Sequence, residues 1–323
     1  MVVQDVNLAR KQDIDAVAGL MILWMVIGHL RQVCGYEWQS PNILYFFMPW
    51  FYYKAGMLWK DGDVRNVATR GGRKLLKPFV VYALVGQIIL TICLLMENVV
   101  SLKPYLYSPV RSLILGGCVG GNTPLWFIPS LFVVQCVAAW LLSKKNWTCL
   151  WAVVSIVLGY GFYLIDFELM PTYIESAFGG LFFFCMGNWL KDWQYKWWVS
   201  VLCVVATIAV MWFGLSGFGV RGNGVERGNY FVGALASLVG CVGINGLMRW
   251  LQPYIRCYVL QYVGRNAITI YVTHWIVLLL SMRLVATDLL HIYDRQMLLW
   301  IGGLSCIIVI PIYTKILKYV KTR

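Results

Sequence analysis

Hydrophobic positions along this chain run in long, nearly unbroken stretches. They follow neither the alternation of a half-buried strand nor the single apolar stripe of a water-facing helix. Ten such stretches lie near residues 14–31, 41–59, 79–97, 124–142, 148–166, 173–190, 197–216, 229–249, 265–284 and 297–318. Each has about the 17–25 residues that a helix needs to cross the hydrocarbon core of a bilayer. Glycine and proline interrupt several of them, which membrane helices tolerate because neighbouring helices satisfy the freed backbone groups. The pattern predicts an all-α polytopic integral membrane protein of about ten transmembrane helices, organised as one domain over residues 1–323. Tyr105 to Cys118 is moderately apolar but too short to span, and reads as a re-entrant or interfacial piece of a long external loop. Met1 to Gln12 is polar and leads straight into the first span, so neither a cleavable signal peptide nor a soluble appendage is expected.

Composition agrees with this environment. Hydrophobic residues make up 60% of the chain and charged residues 13%, against about a quarter charged in soluble domains. The 16 tryptophans and 19 tyrosines suit interfacial belts. Along the ten-span path, nineteen of the 27 basic residues fall in loops and ends on the side of the N-terminus, seven fall opposite, and Lys54 lies within a helix. Such a bias predicts that both termini are cytoplasmic. It also accounts for the net charge of +13 without nucleic acid. The ten cysteines sit mostly inside apolar runs with no C-x-x-C pair, so they read as small buried hydrophobes, not as zinc or redox ligands. Cys34 and Cys118 both fall in segments placed outside, but their positions do not argue for a bridge.

The first span carries the first candidate for chemistry. Thirteen uncharged residues separate Asp15 from His29. An ionisable group at membrane depth costs several kcal/mol unless it faces a cavity or a partner, and imidazole is well suited to move a proton near neutral pH. Two function classes fit buried ionisable residues: a membrane enzyme, or a transporter or flippase without acyl chemistry. No internal repeat of the kind that marks many transporters is visible.

Five stretches, in order across residues 14–275, decide between them. They are Ile14 to His29 (IDAVAGLMILWMVIGH), Phe47 to Met57 (FMPWFYYKAGM), Arg70 to Pro78 (RGGRKLLKP), Pro124 to Phe132 (PLWFIPSLF) and Tyr262 to His274 (YVGRNAITIYVTH). Together they resemble the membrane acyltransferase 3 family. The resemblance implies transfer of an acyl group, often acetyl, from coenzyme A to a hydroxyl of a glycan, a lipid-linked sugar or a small metabolite. It implies acyl-CoA as a donor co-substrate with no permanently bound cofactor and no metal. Membrane lipids and a carbohydrate or other hydroxyl acceptor would be the partners, and a bacterial inner membrane the location. The sequence departs from the family pattern at Ala18, where the family places a basic residue eleven positions before the histidine, and at Phe47 and Ala55. Ala18 keeps a catalytically silent relative as a further alternative.

On this basis His29 is the expected general base, the alternative being an interfacial, hydrogen-bonded histidine. It lies about 21 Å along the helix from Asp15, so the two cannot touch; Asp15 reads as a structural or donor-side residue at the inner interface. His274 follows Asn266, a possible helix cap, by about 12 Å, at a depth unlike that of His29. It is either a ligand for substrate or thioester carbonyl or a satisfied structural histidine. Arg70 and Arg73, three apart on a helical turn, suit donor phosphates or lipid headgroups equally well. Lys54 either supplies the charge missing at Ala18, pairing with Asp15 or a donor phosphate, or snorkels to the inner surface. Trp126, flanked by Asn122, is a belt residue or, less favoured, an acceptor platform.

Overall fold

Whether an apolar run becomes a spanning helix depends on its length and on how little polarity it carries, and these two separate the ten expected segments. The computed structural model describes residues 2–36, 44–60, 62–96, 109–142, 147–165, 170–219 and 225–322. Among them, seven helices are long and apolar enough to cross a membrane: Gln12–Val33, Val64–Met96, Thr123–Leu141, Thr148–Ile165, Tyr230–Leu251, Ala267–Thr287 and Arg295–Leu317. The chain is thus a helical, multi-pass membrane protein.

Three expected spans differ. The second is helical over Phe47–Met57, only 11 residues or about 16 Å, and part of its expected range lies outside the described residues. The seventh is helical over Trp197–Trp212, shorter than a full span. The sixth, Thr172–Leu190, has the length, but Glu175, Asn188 and several small or hydroxyl residues lower its apolarity.

In chain order, α1 (Val2–Val33) and α2 (Phe47–Met57) are followed by α3 (Val64–Gly71), which Asp63 caps by accepting from the Arg65 amide at 3.1 Å. α3 passes through a π-helical stretch, Gly72–Leu76, into α4 (Lys77–Met96). A 3₁₀ turn, Thr123–Trp126, opens α5 (Phe127–Leu141), and α6 (Thr148–Ile165), α7 (Thr172–Leu190) and α8 (Trp197–Trp212) follow. The loop expected after α8 contains a short antiparallel hairpin, β1 (Ser216–Phe218) with β2 (Val225–Gly228), Ser216 standing opposite Gly228. Then come α9 (Tyr230–Leu251), α10 (Tyr258–Arg265), α11 (Ala267–Leu278), a π-helical continuation at Leu279–Leu289, and α12 (Arg295–Thr322). The expected re-entrant piece at Tyr105 to Cys118 is described only from residue 109, where it forms a π-helical turn at Ser112–Gly116.

α1 is the axis of the core: Val17, Ala18 and Met21 are fully buried, with Trp50 and Tyr52 of α2 and Phe183 and Phe184 of α7 packed in the same cluster. α12 lies at the rim, with Trp300 and Ile307 largely exposed, as a lipid-facing helix requires. Lipid tails are as apolar as leucine, so membrane helices associate by close packing at small residues. Two such contacts set this bundle. Gly19 of α1 and Gly264 of α10 interdigitate: a Cβ on Gly19 would run into the Leu260 carbonyl, and one on Gly264 into the Asp15 carbonyl. Gly56 of α2 and Gly187 of α7 do the same against the carbonyls of Phe184 and Tyr53.

Candidate active site

The Gly19–Gly264 contact fixes the register of α1 against the α10–α11 segment, and that register has a chemical consequence. His29 lies ten residues beyond Gly19, and His274 lies ten residues beyond Gly264. Both stretches are helical except at Asn266, the single residue between α10 and α11, so the rises are similar, about 15 Å at 1.5 Å per helical residue. The two imidazoles therefore meet, with ring centroids 5.4 Å apart and planes tilted by 30°. The different depths expected from sequence are not found; that expectation compared His274 with its own helix start and ignored where α10 docks on α1.

His274 is fully buried. Its Nδ1 lies 2.8 Å from the Tyr271 carbonyl and 3.2 Å from that of Ile270. A carbonyl only accepts, so Nδ1 carries the proton. In the neutral ring Nε2 then holds the lone pair, and Nε2 has no hydrogen-bond partner among the described residues. His29 is half-buried, and the edge of Trp275 closes on it at 5.5 Å.

The turn before α5 clamps α11 from the other side. Asn122, fully buried, donates from Nδ2 to the Val272 carbonyl at 3.0 Å, and the Tyr271 hydroxyl donates to the Pro124 carbonyl. The Asn122 Oδ1 is buried without a partner among the described residues. Trp126, expected at the surface in an aromatic belt, is instead buried, edge-on to Phe127 at 6.2 Å. Asn122 gave only a weak signal in sequence, as a polar neighbour of Trp126 and Pro124; its burial next to α11 was not legible.

Tyr271 also joins the histidines to a cavity of about 210 Å³, lined by Ile22, Phe51, Lys54, Leu75 and Phe127 among others. Its ring stands 6.2 Å from that of His274. Lys54 is the charged residue in this lining. Its Nζ lies 5.6 Å over the Trp50 ring, and the charge of Asp15 acts on it. Lys54 and Asp15 thus occupy one neighbourhood, while Ala18 is packed shut within the core. Asn266 does not cap α11 with its side chain; Nδ2 turns back to the Tyr262 carbonyl at 2.7 Å and closes the end of α10. Arg70 and Arg73 are both exposed, Arg70 with Nε donating to the Asn66 carbonyl and Arg73 on the π-helical stretch whose Leu75 lines the cavity.

A sequence profile of the family's acyltransferase domain matches residues 11–315, and that span includes all five motifs. The chain belongs to the acyltransferase 3 family. Comparison with curated proteins and with solved structures gives no match. Membership and the spanning helices together describe a membrane acyltransferase. Within it, the structure gathers His29, His274, Trp275 and Asn122 at one depth, and Lys54 with Asp15 beside the cavity. Asn266 is engaged at the end of α10, and Arg70 and Arg73 are exposed.

Proposed function

We propose that this membrane acyltransferase moves an acyl group, acetyl in the simplest case, from acyl-CoA to a hydroxyl of a glycan, a lipid-linked sugar or a small metabolite. His29 serves as general base. The observation that carries the reading is the paired imidazoles beside an apolar cavity that contains a single lysine.

The donor enters from the cytoplasmic side. Arg70 and Arg73 engage its phosphates, since guanidinium groups bind phosphate oxygens bidentately. The cavity takes the thioester arm: about 210 Å³ suits a slender chain and not a nucleotide. Lys54 and Asp15 order the path at its charged end. The acceptor arrives from the outer side, where α1 ends, in a protein of ten membrane passes with both ends in the cytoplasm of a bacterial cell.

His29 takes the proton of the acceptor hydroxyl as its oxygen attacks the thioester carbonyl. A tetrahedral adduct forms and the C–S bond breaks. The thiolate of coenzyme A then takes up the proton held by His29, which restores the neutral base.

Incubating the purified protein in nanodiscs with acetyl-CoA labelled in the acetyl group tests this. Loss of thioester with label appearing on an added hydroxyl compound is the expected result. A transporter or flippase would leave the thioester intact, and that outcome would overturn the proposal.

A further inference from the structure

A second cavity, of about 680 Å³, lies toward the end of α1 opposite to His29. Asp13 in its lining precedes His29 by sixteen residues, about 24 Å along the helix. Asp13 is also turned away from the smaller cavity. It stands about 200° around α1 from Asp15, and it meets Arg249 of α9 whereas Asp15 acts on Lys54. The acyl transfer proposed above uses none of the residues that line this second cavity.

Four helices build the cavity, each with one of its ends. Asp13 opens the span of α1, Lys191 caps the C-terminus of α7, Trp197 begins α8, and Arg249 and Trp250 lie in the last turn of α9. The cavity therefore lies where these helices leave the apolar layer. Trp197 and Trp250 are stacked 5.3 Å apart with planes tilted by 23°, and both are exposed, as are Trp193 and Trp198. Tryptophan concentrates at the headgroup level of a bilayer, so lipid headgroups are the small ligands that this cavity meets at highest concentration. A volume of about 680 Å³ falls within the range of about 300–1,000 Å³ that ligand clefts span.

The lining is balanced in charge, with Asp13 and Asp192 against Lys191 and Arg249. Arg249 Nε lies 3.4 Å from Asp13 Oδ2, and Lys191 Nζ donates to Asn188 Oδ1 at 3.0 Å. None of these contacts has to break for a ligand to join them. A guanidinium has five donors, an ammonium three, and a carboxylate about four acceptor sites. A polyanion such as a nucleotide would meet two carboxylates here, and a simple cation would meet Lys191 and Arg249. A ligand with one charge of each sign leaves neither pair uncompensated.

We propose that this cavity binds the headgroup of a phosphoethanolamine lipid, its phosphate against Lys191 and Arg249 and its ammonium against Asp192 and Asp13. Carboxylates favour an ammonium that carries N–H donors over a trimethylated one, and the two tryptophans stack on each other instead of forming the aromatic cage of a choline site. Room for the acyl chains adjoins the cavity. On α8, Trp198, Leu202 and Val205 follow one another at i, i+4 and i+7 as a single exposed apolar stripe, which starts beside Trp197 and runs into the apolar layer.

Native mass spectrometry of the delipidated full-length protein tests this. Phosphatidylethanolamine, phosphatidylglycerol and phosphatidylcholine with identical acyl chains are added at equal concentration. Phosphatidylethanolamine should be retained about tenfold over the other two, the worth of one hydrogen bond to a charged group. Asp192→Lys removes an ammonium partner and adds a cation, so the order of phosphatidylethanolamine and phosphatidylglycerol should reverse. Lys191→Gln should lower retention of both. A reversed preference is a gain of binding that a merely unstable variant would not show. Equal retention of the three lipids by the intact protein, or an unchanged order in Asp192→Lys, would overturn the proposal. Displacement of the lipid by chain-free glycerophosphoethanolamine at equal concentration would also overturn it, assigning the cavity to a soluble phosphate ester. Acyl transfer is not the readout, so failure of the transferase reading would leave these outcomes unaffected.

Discussion

Gly264→Ala adds one methyl group at the contact that sets the depth of both histidines. That methyl would fall on the Asp15 carbonyl and near the Gly19 amide. Backbone atoms cannot rotate away as a side chain can, so α10 must move off α1 by about 1 Å or more to regain van der Waals distance. Overpacking of this kind costs about 1–3 kcal/mol, which should appear as a lowered midpoint of thermal unfolding in a fixed detergent. The chemical effect should exceed the stability effect. His274 is carried by α11, directly after α10, so the shift opens the 5.4 Å pair, and misplacing reacting groups by about 1 Å costs on the order of 10²-fold in rate. Gly161→Ala is the matched control, because a Cβ there meets nothing within 4 Å. In a helix interior that change should be neutral or stabilising by about 0.5–1 kcal/mol. Both variants are assayed for thioester turnover and for unfolding under identical conditions. If Gly264→Ala behaves like Gly161→Ala in both assays, the claim that the glycine contact aligns the two imidazoles is wrong.

Four further outcomes are expected. His29→Ala should lower turnover by about 10²–10⁴-fold with little change in thermal stability; unaltered transfer would return His29 to an interfacial role. Replacing Arg70 and Arg73 together by Gln should raise KM for acyl-CoA while kcat holds, the signature of lost uniform binding, and an unchanged KM would assign them to lipid headgroups. Lys54→Met should weaken acyl-CoA binding; if affinity and turnover both stay at the level of the intact protein, Lys54 is a snorkelling anchor. A cysteine at Arg227 should react with an impermeant reagent from outside intact cells and one at Lys60 should not, with the reverse pattern inverting the topology.

How far the sequence disclosed this arrangement depends on the kind of contact involved. Spanning helices are local consequences of apolar length, and seven of the ten expected segments are helices long and apolar enough to cross a membrane. The other three include α2, where Pro49, two tyrosines and Lys54 sit within an 11-residue helix, so length and apolarity alone do not mark it as a span. Single residues of chemical interest were equally legible, since an imidazole at the end of an apolar run stands out in any chain. Their mutual placement was not, because it depends on helix docking. A signal for it was nevertheless present: each histidine follows a glycine by ten residues, Gly19 to His29 and Gly264 to His274. In water such a coincidence would mean little. In a bilayer, where close approach at glycine is a main source of helix attraction, two helices that each offer one small residue at equal distance from an ionisable group have a reason to dock in register. The same reasoning accounts for Ala18. It neighbours Gly19 and is wholly buried, so a long basic side chain there would have to displace packed neighbours. A positive charge serving this region has to come from another helix, and Lys54, within electrostatic reach of Asp15, is placed to provide it.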